Sequence, residues 1–80
     1  MNLEEALIKV SEATDSEGRR VILYSGPITS DGLRKAAKNF ASELSEESIV
    51  FFGGSAGEAK AWENLALLAN AVAAAILEGK

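Results

Sequence analysis

Histidine and cysteine are both missing from the 80 residues. Their absence removes Ser-His-Asp and Cys-His nucleophile systems, zinc sites of the usual imidazole and thiolate kind, and disulfide frameworks. It also leaves the chain no thiol redox chemistry and fits a reducing compartment. Positive charge is scarce as well. Eight Lys plus Arg stand against twelve Asp plus Glu, a net charge of −4, which argues against a nucleic-acid or anionic-membrane surface as the main role. The longest apolar stretch, Leu65 to Leu77, contains Asn70 and is too short to span a bilayer. The opening MNLEEALIKV has no apolar core of signal-peptide length, so the cytosol is the expected compartment.

What is present is the material of a single globular domain over residues 1–80. An apolar fraction of 48% with 25% charge lies far from disordered compositions, so a core is expected. A chain of this length buries only about 60% of its unfolded surface, so it needs idealised packing or a partner.

Helical and extended patterns alternate along the chain. Asn2 followed by Glu5 reads as a helix start, and Leu3, Ala6, Leu7, Val10 and Ala13 follow at helical spacing. This first helix is expected to end near Glu17, with Gly18 in the left-handed conformation. Val21 to Tyr24 is apolar throughout and reads as a strand covered on both faces. Thr29, Ser30 and Asp31 are cap candidates for a second helix carrying Leu33, Ala36, Ala37, Phe40, Ala41 and Leu44. Ile49 to Phe52 reads as a second strand, and Ser55 with Glu58 as a capping box for a third helix from Ala56 to about Glu78, stopped by Gly79. The expected fold class is therefore α/β, an αβαβα domain whose two strands form a parallel pair with a right-handed crossover.

The third helix is apolar nearly all round. Trp62, Leu65, Leu68, Val72 and Ile76 form a stripe suited to the core, which leaves Leu67, Ala71, Ala74 and the nearby Ala66, Ala73 and Leu77 pointing elsewhere. A few hundred Å² of uncovered apolar surface, at about 25 cal/mol/Å², corresponds to roughly 5–10 kcal/mol, the size of a small domain's whole stability. Two coverings are open. The helix lies centrally between the first helix and the sheet, or a second copy covers it as a homodimer. A dimer could also join the open edges of two sheets into four strands. In that arrangement Leu67, Asn70, Ala71, Ala74 and Leu77 are the candidate interface, with Asn70 either setting register or simply solvated.

Chemistry would collect beyond the carboxyl ends of parallel strands. There Ser25, Gly26 and Ser30, with Arg34 in the first turn of the second helix, and Gly53, Gly54 and Ser55 before the third, offer amides, hydroxyls and helix dipoles to a small anion. The first reading of the same residues is plain turn and cap chemistry, with the glycines serving the tight reversal into each helix. Neither G-x-G-x-x-G nor the Walker-type phosphate loop is present, and no cofactor is implied. Arg34, Lys35 and Lys38 read as a solvated basic face without aromatic interleaving. Glu4-Glu5 and Glu46-Glu47 lack the facing geometry of a two-carboxylate site.

The regular αβαβα order, the capped helices and the alanine-rich third helix together resemble de novo designed α/β proteins. Val21-Ile22-Leu23-Tyr24-Ser25-Gly26-Pro27, then a helix with Phe40-Ala41, then Trp62 opening an alanine-rich helix, is similar to bacterial toxin domains related to ADP-ribosyl cyclases, which degrade NAD. In that family a catalytic acid stands on further strands. The sequence ends at Lys80, so the resemblance implies a degenerate domain retaining a nucleotide-sized cleft. The functional expectation is a non-catalytic scaffold that self-associates through its third helix or sheet edge. The alternative is a module binding an anion or nucleotide phosphate at the strand-to-helix loops.

Overall fold

A computed structural model describes residues 2–44 and 54–79, and those residues form three helices: α1, Leu3–Ser11; α2, Ser30–Glu43; and α3, Gly54–Leu77. α1 starts where the spacing predicts. The Asn2 side chain accepts the Glu5 amide at 2.8 Å, while Glu4 and Glu5 in the first turn and Lys9 in the last complement the helix dipole.

The helix stops at Ser11, short of the expected Glu17, because a competing local structure forms beyond it. One carboxylate oxygen of Asp15 accepts the amides of Glu17 and Arg19, each at 2.9 Å, and the other accepts Arg19 Nε at 3.0 Å. Asp side chains offer the backbone this alternative to helix. Gly18 does take the left-handed conformation, φ +82°, but inside this turn instead of at a helix end. The chain then doubles back, with an isolated antiparallel bridge between Thr14 and Arg20 and a 3.0 Å bond from the Val21 amide to the Ala13 carbonyl.

The α/β expectation is not met. Among the described residues there is no strand beyond that isolated bridge, so the architecture is all-helical and the parallel sheet is corrected. Val21 to Tyr24 has no regular secondary structure. A strand covered on both faces requires every side chain to find apolar cover, and Ile22 is 88% exposed, while Val21, Leu23 and Tyr24 are half-buried. The second expected strand, Ile49 to Phe52, lies outside the described residues. With no strand edge among the described residues, the four-stranded dimer and the α/β architecture implied by both resemblances fall with the sheet.

Tyr24 organises the entry to α2. Its ring packs against the core and its hydroxyl donates to the Pro27 carbonyl. Of the three cap candidates Thr29 is used, accepting the Gly32 amide at 3.1 Å. Gly32 is needed here, since a β-carbon on it would stand 2.7 Å from the Pro27 carbonyl oxygen and closer still to the Tyr24 hydroxyl.

The core joins Leu3, Ala6 and Val10 of α1, Leu33 of α2, and Leu68, Ala71, Ala74 and Ala75 of α3. α1 and α2 both pack on α3. Two long-range bonds fix the direction of α1. The Leu3 amide donates to Glu78 Oε2 at 3.1 Å, and Asn64 Nδ2 donates to the Thr14 carbonyl at 3.1 Å. The start of α1 therefore lies at the end of α3, and the two helices run antiparallel. Beyond α3, Gly79 takes φ +74° and its amide reaches the Ile76 carbonyl at 3.2 Å, the terminator expected of it.

Candidate interaction surface

The face that α3 turns inward is not the one its periodicity suggests. Leu68 is fully buried, but Leu65 and Val72 lie half-buried at the flanks, and Trp62 and Ile76 are 50% and 49% exposed. The buried line runs instead through Gly57, Asn64, Leu68, Ala71 and Ala75. Alanines there let the backbone of α1 approach closely, which a line of Trp, Leu and Ile could not allow at the same separation. A helix that is apolar all round has no preferred phase, so its neighbours select the face.

The opposite side of α3 carries a second apolar line. Ala59, Trp62, Ala66, Ala69, Ala73 and Ile76 recur at alternating spacings of three and four, and every one is exposed. This is the spacing of a coiled-coil seam. With 1.5 Å of rise per residue it extends for about 25 Å along the helix. Its bulky members, Trp62 and Ile76, stand toward the two ends, and the alanines at 66, 69 and 73 lie between them. Half-buried Glu58, Leu65 and Val72 flank the seam on one side; exposed Glu63, Asn70 and Leu77 flank it on the other. Glu63 is 3.3 Å from Lys60, an ion pair of the (i, i+3) kind.

Of the interface residues expected from sequence, Ala71 and Ala74 are buried in the core, Leu67 is half-buried against it, and Asn70 and Leu77 are exposed, Leu77 by 85%. Sequence reasoning does not single out the outer seam as a unit, because its three-four spacing competes with several other apolar lines on the same helix.

The expected anion-binding residues fall into two groups. Ser25 and Gly26 are exposed in the connection before α2, Ser30 is its first residue, and Arg34 is exposed with Nη1 3.8 Å from Asp31 Oδ1. The space against Gly26 is taken by Tyr24, whose hydroxyl lies 2.8 Å and whose ring carbons lie 3.0–3.1 Å from where a β-carbon would stand. Gly54 and Ser55 open α3, with Ser55 already inside the helix, and Gly53 lies outside the described residues.

A cavity of about 220 Å³ does open beside the amino-terminal half of α3, between Val21 and Leu23, Phe40 of α2, Leu44 just after it, and Ala61. None of the expected anion-binding residues lines it. Three of its polar groups are engaged elsewhere, Asp15 in its turn, Lys60 with Glu63, and Asn64 with Thr14, while Ser16 and Glu43 also line it. Among the described residues no acidic cluster is arranged to hold a metal ion, and no helix is long and apolar enough to cross a membrane. Comparison with family models, with curated proteins and with solved structures found no match.

Proposed function

We propose that the protein is a non-catalytic scaffold domain of the cytosol that self-associates through the outer face of α3. The observation that supports this reading is the exposed seam from Ala59 to Ile76, which lies on the side of α3 away from the core. Isolated apolar residues on a surface are ordinary, but a contiguous line of them along a helix is the signature of an interaction site. A second copy supplies an identical seam, so the patch is complementary to itself across a twofold axis. Trp62, half exposed on that seam, is a suitable anchor, since buried aromatics dominate the energetics of interfaces. The alanines between Trp62 and Ile76 allow the two backbones to come close.

Sedimentation equilibrium across a dilution series tests the proposal. The expected species is a dimer that dissociates on dilution, with the emission of the single tryptophan moving to longer wavelength as Trp62 meets water. Ala69→Glu, which sets a charge at the middle of the seam on an exposed helical position, is expected to yield a monomer of unchanged helical circular dichroism. A wild-type chain that stays monomeric at high concentration would reject the reading.

A further inference from the structure

We infer that the two α3 helices pair antiparallel, in the register that sets Ala59 against the partner's Ile76, Trp62 against the partner's Ala73, and Ala66 against the partner's Ala69. The inference rests on the self-association proposed above and adds its orientation.

Side-chain size along the seam carries the first part of the argument. In a parallel pair each residue meets its own copy. Two tryptophans would then face each other at one end of the run and two isoleucines at the other. The separation those layers demand is wider than the paired alanines at 66, 69 and 73 can fill. In the antiparallel register no layer holds two bulky residues, because Trp62 and Ile76 each meet an alanine of the partner. The middle layers, Ala66 with the partner's Ala69 and the reverse, let the backbones approach. The bulky side chains then close the space toward either end, as interdigitated packing requires.

Flanking charge selects the same orientation independently. Seam-flanking residues five apart on the two chains, such as Glu58 and Glu63, are neighbours in a parallel pair. Two carboxylate pairs of like charge would then face each other at one end of the interface. In the antiparallel register Glu58 lies beside the partner's Gly79 and Glu63 beside the partner's Asn70. The Asn70 amide can donate to that carboxylate, which retains acceptor capacity beyond its pairing with Lys60. Asn70, the one polar residue in the run from Leu65 to Leu77, thereby acquires a role in fixing the register. Leu65 meets the partner's Val72 on the other flank, and Leu77, 85% exposed in the single chain, lies beside the partner's Ala56.

The cysteine-free chain permits a direct test. Ala59→Cys and Ile76→Cys chains are prepared separately and mixed, then treated with a short bismaleimide. Ala56→Cys with Leu77→Cys provides a second pair, outside the seam, should the first weaken the dimer. Cross-linking of each mixture, with neither variant joining to itself, is expected, because like positions at the ends of the seam are about 25 Å apart in this register. Self-linking of Ala59→Cys, or a dimer by sedimentation that links in no combination, overturns the antiparallel register and leaves self-association standing. A wild-type monomer in sedimentation overturns both.

Discussion

The side-chain amide of Asn64 donates to the backbone carbonyl of Thr14, 3.1 Å away and 50 residues earlier in the chain. Asn64 is the buried polar residue of the described core, with 6% of its surface exposed. The bond ties the middle of α3 to the point where the chain leaves α1 and turns toward Val21.

Asn64→Ala is therefore expected to destabilise the monomer by about 1–3 kcal/mol, the cost of leaving a partly buried carbonyl without its donor. Asn64→Asp is expected to cost more, because an ionised carboxylate has no proton to offer and sets a second acceptor against the first. Urea unfolding of a monomeric background such as Ala69→Glu checks both without interference from association. Equal stability of all three would show that the bond carries no net free energy.

Gly32→Ala reverses the ordinary helix preference. Alanine in a helix interior normally stabilises by about 1 kcal/mol relative to glycine. Here the added methyl meets the Tyr24 hydroxyl and the Pro27 carbonyl, and the expected outcome is a loss of about 1–3 kcal/mol from overpacking. The loss should shrink when Tyr24→Phe removes the hydroxyl, so a double-mutant cycle read by thermal or urea unfolding separates the two contacts. A stabilised Gly32→Ala chain would contradict the packing around Tyr24.

Asp15 sets a pH dependence of known sign. The amide of Arg19, first, and then the Glu17 amide and the Arg19 guanidinium hold its carboxyl below the ordinary value of 3.8, while partial desolvation opposes them. A carboxylate whose folded pKa is depressed contributes stability that is fully present above the unfolded value and is lost as pH falls through the folded one. The advantage of wild type over Asp15→Ala is thus expected to be constant above about pH 5 and to disappear in strong acid. Carboxyl carbon chemical shifts followed through an acid titration give the midpoint directly. A midpoint at or above 3.8 would mean that the Asp15 turn does not persist in solution.

Three helix boundaries are legible in the sequence because they are local, whereas the expected Ser55 cap is not used, α3 already running from Gly54. Asn2 with Glu5, Thr29 before the α2 run, and Gly79 after α3 each depend on a hydrogen bond or a backbone conformation within three or four residues. The Asp15 turn is equally local, but helical spacing continues to Ala13 past the true end at Ser11, so periodicity alone overextends α1. Val21 to Tyr24 departs from expectation for a different reason. An apolar run of four has no period of its own, and whether it becomes a strand depends on a paired neighbour along its backbone. In the structure its described backbone partner is the Ala13 carbonyl. The anion-site expectation rested on two strand ends, and without a sheet nothing brings the described loops to one place.

Composition alone determined which chemistries the chain is denied and that α3 would be too apolar for an ordinary surface helix. The direction in which that helix faces was decided by tertiary structure. With apolar residues on every side from Leu65 to Leu77, no polar face marks which side of α3 turns outward. Backbone approach and hydrogen bonding make the difference: alanines at 71, 74 and 75 admit α1, Asn64 reaches Thr14, and Trp62 and Ile76 are left on the outside with the alanines between them.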